Sequence, residues 1–557
     1  MGSRIDSHNR WFSFADVCGW VGLFVLVSGG LSLRWVLGSK GALIELRQWG
    51  LFFVPLAVVV LFTNFAFWET SLGRFYRFVS QLNFTDRAAY LSLSSIGMLH
   101  ACAMTARHFS FNSEWDLAIY ANACANRFHS SLRNHTTLLA DHFEPVLALF
   151  MPLCETWDPA SVLLAGHAAV WTLGSIAIYK LGLHLKLSRI LSLAAGFLYL
   201  NLSRLQTVSY YDFHPYALAL GTIPWIMLFL LTRRWGWFAI LCIVHLTLKE
   251  TTSLFVCGLG VWVALNKNHR KIGIALAITG TFWFLLVMQI IYPHFRQGQE
   301  SEYFAKYYGY LGNSMSAVVL SILSRPWILA TEVLSWNKVL YVLKVTAPFL
   351  FFPLCRPSLL LPVAGAFAVS LLSNVKVMYS GSFHYEAEIY AWFFVGCLYE
   401  FSKGSGMPVI QPVFDWIARK SKWNTKTRPT YWITIIWICS CLLFFSDRSP
   451  LGRFHDYAPT KSHVELAAKL RAFSAEFSSL KVATVERLVA HLASIRELTM
   501  LPEHDKAEVI IIAYPQGPRL WIQSFETIES TYAPEWNAAY KLHYPVAHDR
   551  DFRVWQR

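Results

Sequence analysis

Between Arg234 and Lys267 the chain runs for roughly thirty residues with only two charged side chains, Lys249 and Glu250, adjacent near its middle. As one helix the run would be about 45 Å long, against a hydrocarbon core of about 30 Å. A single untilted crossing cannot use that length. Both flanks are basic, and basic loops favour the cytoplasmic side of a membrane. The chain must therefore go out and come back, turning near Lys249–Glu250. Each arm is then too short to cross comfortably. Such broken helices are tolerated where they border protein or a watery cavity.

Similar runs recur at Val21–Leu33, Leu51–Trp68, Ile272–Pro293, Tyr341–Leu354 and Tyr431–Phe445. Only 15% of the 557 residues are charged, where soluble domains run near a quarter. The fold class expected is an all-α polytopic membrane protein. Its spans fall at 15–35, 50–68, 88–105, 160–182, 188–203, 214–232, 235–248, 250–266, 272–293, 339–354, 358–374, 387–402 and 430–446. With the N-terminus inside, the basic clusters fall almost entirely in cytoplasmic loops: Arg74, Arg77 and Arg87; Lys186 and Arg189; Arg233 and Arg234; Lys267, Arg270 and Lys271; Arg356; and the set from Lys403 to Arg428. The exception is the first outer loop, with Arg34, Lys40 and Arg47. Outer segments are then 106–159, the turn Ser209–His214, and 294–338.

The net charge of +14 invites a nucleic-acid reading. Its distribution excludes one, because acidic and basic residues balance from Asp447 onward and the excess sits in the membrane part, where it sets orientation. The ten cysteines are scattered, without a C-x-x-C pair, and none lies beyond Cys441. The first apolar run is too long for a signal h-region and reads as an uncleaved span. Residues 1–87 read as extra N-terminal spans, 88–446 as the main transmembrane domain, and 447–557 as a soluble α/β domain. In the last, Val464–Phe477 has helical spacing, and Leu480–Val485 and Val509–Tyr514 read as buried strands.

By the same parity the outer side collects Asp116, Asp141, His142, Glu144, Asp212, His214, Lys249, Glu250, His384, Tyr385, Glu386 and Glu388. Carboxylates and imidazoles at one interface can supply a general base, a metal site, or both. Asp116 can take a proton from an acceptor hydroxyl, or cap a helix. Asp141-His142-Phe143-Glu144-Pro145 and Tyr211-Asp212-Phe213-His214-Pro215 share one grammar. Such a turn can converge on an ion or phosphate, or simply cap a segment, with Pro145 and Pro215 starting helical turns. Lys249 and Glu250 cost about 2.5–3.5 kcal/mol each inside a bilayer unless paired or wet. They form either a neutralising structural pair or a phosphate cation with an orienting carboxylate. His167 and His245, inside apolar runs, read as hydrogen-bonded packing residues. Tyr303–Tyr310 reads as interfacial belt.

Several motifs occur in a fixed order: Trp115-Asp116-Leu117-Ala118-Ile119-Tyr120, Ala140–Pro145, Tyr211–Pro215, Leu248-Lys249-Glu250, Lys306–Gly312, Phe383-His384-Tyr385, and in the tail Val489–Arg496 followed by Ala507–Ile511. From about residue 88 onward the chain resembles a large prokaryotic family of predicted membrane proteins defined only as a domain of unknown function. That family's loop often carries a second Asp where this chain has Ala121. The first two spans look like an addition. The family in turn resembles a branch of the GT-C type glycosyltransferases, which transfer sugars from polyprenyl-phosphate carriers on the outer face.

The resemblance implies a GT-C-like transmembrane domain in the cytoplasmic (inner) membrane, with a cytoplasmic N-terminus and an extracytoplasmic C-terminal domain. It implies a polyprenyl-phosphate sugar donor drawn from the membrane lipid, and an acceptor glycan, lipid or protein. Asp116 matches the family's catalytic base by position. Lys249 would meet the charge of the leaving phosphate, and Glu250 would orient a partner. Asp141, His142, Glu144, His384 and Tyr385 would bind substrate. A divalent ion would lie near Asp212, His214 and His142. The alternative is a transporter or flippase, which intramembrane charges and broken helices also suit. Against it stand the absence of an inverted repeat and the clustering of charge at one face. A membrane-anchored scaffold would leave the buried charges unexplained.

Overall fold

The computed structural model describes residues 85–403 and 454–556, apart from 133–136, 266, 298–301, 350, 382, 455–456, 502, 504–505, 514–529, 539–540 and 545–551. The spans expected at 15–35, 50–68 and 430–446 lie outside the described residues. So does most of the basic loop after Lys403.

The described part is mostly helical, with a small C-terminal sheet. Helix α1 is Asp86–Phe109. Helix α2, Trp115–Ala125, follows a short loop. Helix α3, Pro159–His184, starts where Asp158 Oδ2 accepts the Ser161 N–H at 2.9 Å and Pro159 takes the first helical position, a capped start with no N–H wasted. Then come α4 (Arg189–Asn201), α5 (Ser203–Tyr210), α6 (Ala219–Leu231), α7 (Trp235–Leu246), α8 (Thr252–Ala264) and α9 (Arg270–Leu286). A π-turn, Val287–Ile291, carries α9 on into Tyr292–Arg296. Later come α10 (Trp336–Thr346), α11 (Ala364–Leu371) and α12 (Ala387–Ser402). Among the described residues two helices, Pro159–His184 and Arg270–Arg296, are long and apolar enough to cross a membrane. The apolar stretches 339–354 and 358–374 are broken into short helical pieces instead of continuous spans.

The thirty-residue run divides as its length requires. Helix α7 stops at Leu246, α8 starts at Thr252, and the two pack on each other. The broken backbone is answered locally. Thr252 Oγ1 donates to the carbonyls of His245 (2.6 Å) and Lys249 (2.7 Å), and Ser253 Oγ donates to the carbonyl of Glu250 (2.6 Å). Helices α8 and α9 pack backbone to backbone. A Cβ on Gly260 would lie 2.3 Å from the Ala277 nitrogen, and one on Gly273 would lie 2.3 Å from the Ala264 nitrogen. Small residues at such crossings are how helices associate where lipid removes the hydrophobic drive.

The C-terminal part begins with α13, Lys461–Glu476. Five strands follow: β1 (Lys481–Thr484), β2 (Glu497–Met500), β3 (Val509–Ala513), β4 (Lys541–Tyr544) and β5 (Phe552–Gln556), in sheet order β2-β1-β3-β5-β4. Strand β1 runs parallel to both β2 and β3, and β5 runs antiparallel to β3. The helix and the first and third strands match the sequence reading. The short strands β2, β4 and β5 were not foreseen.

This sheet unit is docked on α2 and its flanks. The Asn122 side chain donates to the carbonyls of Ala493 (2.9 Å) and Ile495 (2.7 Å). Arg487 donates to the Ser113 carbonyl at 2.7 Å. Ser131 Oγ closes the edge of β2, accepting the Leu498 N–H and donating to its carbonyl, both at 2.7 Å. The rings of His108 and His491 stack at 4.0 Å. The tail and the segment 106–159 therefore lie on one side of the protein.

Both stacked histidines are pushed below their usual value of 6.5, first by burial, with Asp158 opposing the shift at His108 and Arg471 adding to it at both. Their folded forms are neutral. Docking should be complete above about pH 6.5 and should weaken as pH falls below it, because the undocked histidines then take up protons. Protease sensitivity of the tail between pH 8 and pH 5 measures this. His491→Phe, which keeps a ring but cannot titrate, should flatten the profile. A tail equally protected at both ends of the range would refute the argument.

Candidate functional site

Asp116 stands in the first turn of α2, where the helix dipole favours a carboxylate. It is not the cap: Glu114 holds that position, without a side-chain cap bond. Asp116 Oδ2 lies 3.2 Å from His214 Nε2. His214 directly precedes Pro215, which opens a 3-10 turn, Pro215–Leu218; Pro145 opens another, Pro145–Leu149. His384 opens a third, His384–Glu386, and its ring lies flat on that of His214 at 3.4 Å between centroids. Tyr211 lies 5.7 Å from each of these rings, and Tyr385 is 4.1 Å from His384. Residues from three distant parts of the chain thus meet at one point.

The donor atoms of Asp116, His214 and His384 all lie within 4.8 Å of one another. Burial, and then the neighbouring His214, push His384 well below the usual range, so its imidazole is neutral and keeps a lone pair. Its buried Nδ1 has no hydrogen-bond partner. Two nitrogens and a carboxylate oxygen suit a divalent transition ion, whose donors sit about 2.0–2.2 Å away and so no more than about 4.4 Å apart. The residues fit such an ion after a small closure.

The set expected from the sequence, Asp212, His214 and His142, does not come together. Asp212 adopts a left-handed backbone (φ 77°), and its carboxylate turns away from His214. Oδ1 accepts from Arg107 at 3.1 Å, and Oδ2 accepts the Glu114 N–H at 2.7 Å. Arg107 also donates to the Tyr210 carbonyl. His142 faces Glu250 instead, with Nδ1 3.8 Å from Oε1. Asp116 and His384 occupy the places expected of Asp212 and His142.

Lys249 and Glu250 are split by the turn that carries them. Lys249 Nζ lies 5.7 Å from the centre of the Tyr216 ring, and it makes no ion pair with a carboxylate among the described residues. The Lys249 charge is among the influences that lower His384, which puts Lys249 within electrostatic reach of that imidazole. Asp141 and Glu144 are buried. Glu144 accepts from Tyr120 at 3.4 Å, and Tyr120 stands edge-on to His214 at 5.3 Å.

A second polar chain was missed in sequence. Tyr216 donates to Glu388 Oε2 at 3.1 Å, His245 Nε2 meets Glu388 Oε1 at 3.0 Å, and Thr222 meets His245 Nδ1 at 2.8 Å. His245 is thus hydrogen-bonded as expected. His167 is buried but neither ring nitrogen has a hydrogen-bond partner. Arg107 and Tyr216 carried no local signal, because each acts through residues far away in sequence.

Residues 107–541 match the family described as predicted membrane protein (DUF2079), and the chain belongs to that family. The sequence has no match among curated proteins. Two solved structures are similar at 12% identity. One is the oligosaccharyltransferase of Archaeoglobus fulgidus tethered to an acceptor peptide, with TM-score 0.38, 75% of this chain covered and 64% of that one. This chain thus spans less than two thirds of that protein's length. The other is ArnT from Cupriavidus metallidurans bound to undecaprenyl phosphate, with TM-score 0.40, 82% of this chain covered and 96% of that one.

The donor atoms of Asp116, His214 and His384 have the spacing to hold one metal ion. Titration calorimetry of the purified protein with Zn²⁺ or Mn²⁺ should give one site. Asp116→Ala or His384→Ala should weaken it by at least the roughly 10–100-fold seen when supporting groups are lost. His142→Ala should leave it nearly unchanged. Equal losses in all three variants would reject the assignment.

Proposed function

We propose that this member of the DUF2079 family is a membrane glycosyltransferase, moving a sugar from a polyprenyl-phosphate donor to an acceptor hydroxyl on the outer face of the membrane. The observation that carries the reading is the convergence of Asp116, His214, His384 and Lys249 from separate elements. It agrees with the ordered motifs that resemble the GT-C enzymes.

In this reading Asp116 takes the proton of the acceptor hydroxyl. The acceptor oxygen bonds to the anomeric carbon as the bond from that carbon to the phosphate oxygen breaks, and the lipid phosphate departs with the bonding pair. A carboxylate has two oxygens and about four acceptor directions, so Asp116 can contact His214 and still receive a proton. Lys249, which makes no ion pair with a carboxylate among the described residues, meets the departing phosphate, and such charge stabilisation is a large part of catalysis. Glu250 holds His142 at the rim. Asp141, Glu144, Tyr120 and Tyr385 shape the surroundings in which the sugar is bound. A divalent ion held by Asp116, His214 and His384 would supply Lewis-acid polarisation of a phosphate oxygen.

Purified protein in detergent should consume a polyprenyl-phosphate sugar without a gradient or sealed vesicle. Asp116→Asn should lower turnover by roughly 10²–10⁴-fold, the usual worth of a general base, while the protein still folds. Activity seen only as movement across a sealed membrane would favour a transporter instead.

Lys249 has a sharper test. Lys249→Met keeps the length and is cheap to bury, and it leaves the Glu250–His142 contact in place. Donor binding should fall severely with little change in melting temperature. The double variant Lys249→Met with Glu250→Gln should bind donor no better. Full recovery of activity in the double variant would mark the two as a structural pair, since neutral replacement of buried pairs is often harmless.

A further inference from the structure

The segment between α9 and α10 contains two short helices, Met315–Ser324 and Trp327–Val333. The sequence reading treated this region as an outer loop. Its side chains are arranged the wrong way round for water. Leu323 is 74% exposed and Trp336 72%, and Leu320, Trp327 and Leu334 are exposed with them, while Ser321 is buried at 5%. Val319, Leu320 and Leu323 fall on one face of the first helix, so its apolar stripe points outward. A helix in water turns that stripe to the core. The same inversion marks α9, where Ile278, Phe282 and Ile290 are exposed along a helix long enough to cross a membrane.

Length separates the two cases. Ten residues make about 15 Å of helix, half of a hydrocarbon core of about 30 Å, so Met315–Ser324 cannot span. Ser314 caps its start, accepting the Ala317 N–H at 3.3 Å, and Arg325 closes its end by donating to Ser321. Trp327 and Trp336 flank the second helix, and tryptophan concentrates at the level of the headgroups. The segment does not stand off in water. Tyr308 and Tyr310 donate to the carbonyls of Val369 (3.0 Å) and Leu372 (2.9 Å), and the Asn374 N–H reaches the Tyr307 carbonyl at 2.9 Å. These bonds hold its start against the end of α11.

We propose that Met315–Trp336 is a monotopic helix pair lying in the interface of the outer leaflet, with the lipid bilayer as the occupant of its exposed apolar face. Outward apolar side chains, sub-spanning length, a flanking Arg and two tryptophans are together the marks of an interfacial segment. The pair extends the lipid-facing surface of the bundle sideways, at the level where α9 and α11 end. This rests on the membrane reading of the chain and is independent of the sugar-transfer reading.

The test uses full-length protein in nanodiscs of phosphatidylethanolamine and phosphatidylglycerol, with a benzophenone side chain placed at one position. Leu323→p-benzoylphenylalanine should yield phospholipid adducts by mass spectrometry on illumination, as should Phe282→p-benzoylphenylalanine on α9. Val464→p-benzoylphenylalanine should yield several-fold less, because Val464 is likewise apolar and more than half exposed but lies in α13. Leu320→p-benzoylphenylalanine serves if the Leu323 variant fails to assemble. Adducts at position 323 to another segment of the same chain, to a second copy, or to nothing while position 282 labels lipid, would overturn the proposal. No lipid adduct at position 282 would overturn the membrane reading on which it stands.

Discussion

The Asp212 carboxylate holds the candidate site together. It is almost completely buried, and both of its oxygens are used, one by Arg107 from the end of α1 and one by the backbone N–H of Glu114 just before α2. A buried carboxylate without such partners would be costly, and removing one partner of a buried pair costs about 3–5 kcal/mol. These two bonds tie the turn Tyr211–Pro215 to the loop between α1 and α2. His214, two residues on, is thereby brought 3.2 Å from Asp116, which lies two residues beyond Glu114. The left-handed backbone at Asp212 lets its side chain and that of His214 face different neighbours. Asp tolerates that conformation better than most residues.

The other face of α2 is fixed by the C-terminal unit. Asn122 has its side-chain amide committed to two carbonyls of the stretch Val489–Arg496, and Arg487 reaches back to the Ser113 carbonyl. This explains a motif that looked unrelated to chemistry. The stretch ends a short helix in a 3-10 turn, Ala490–Leu492, and the carbonyls just beyond it, not side chains, do the holding. His491 is the main exception, stacking on His108 at the end of α1. A helix gripped on one side by Asp212 through its leading loop, and on the other by the tail, can present Asp116 with little freedom. Preorganisation of that kind is what makes fixed charges effective.

The mostly helical class could be read from the sequence because long apolar runs admit few other solutions. The division of Arg234–Lys267 into two helices followed from length and basic flanks alone. The helix α13 and strands β1 and β3 followed from periodicity. Strands β2 (Glu497–Met500), β4 (Lys541–Tyr544) and β5 (Phe552–Gln556) are no shorter than β1 and β3, but charged or polar residues interrupt each of them, so none stands out as a buried apolar run. The site was readable as a list of residues but not as an arrangement. Tyr211–Pro215 offers an Asp and a His at equal claim, and local spacing cannot say that Asp212 belongs to Arg107, 105 residues earlier. Nor could it say that His384 would lie on His214, since such pairing is set by how α12 packs against α6.

The break at Lys249 also has a structural cost, and the buried polar chain beneath it offsets that cost. Irregular backbone at membrane depth survives only where its polar groups find protein partners. Here the hydroxyls of Thr252 and Ser253 take the carbonyls of His245, Lys249 and Glu250, the Trp283 indole donates to the Leu246 carbonyl at 3.1 Å, and the Thr247 carbonyl accepts the Val146 N–H at 3.2 Å. His245, at the end of α7, is fastened to Glu388 of α12 and Thr222 of α6. Glu388 in turn fastens Tyr216, over whose ring Lys249 lies. A negative charge hydrogen-bonded to that hydroxyl enriches the ring and strengthens its hold on a cation. The lysine therefore lies over an aromatic face and makes no ion pair with a carboxylate among the described residues. An ammonium held that way keeps its capacity to neutralise an arriving anion, which an ion pair with Glu250 would have spent.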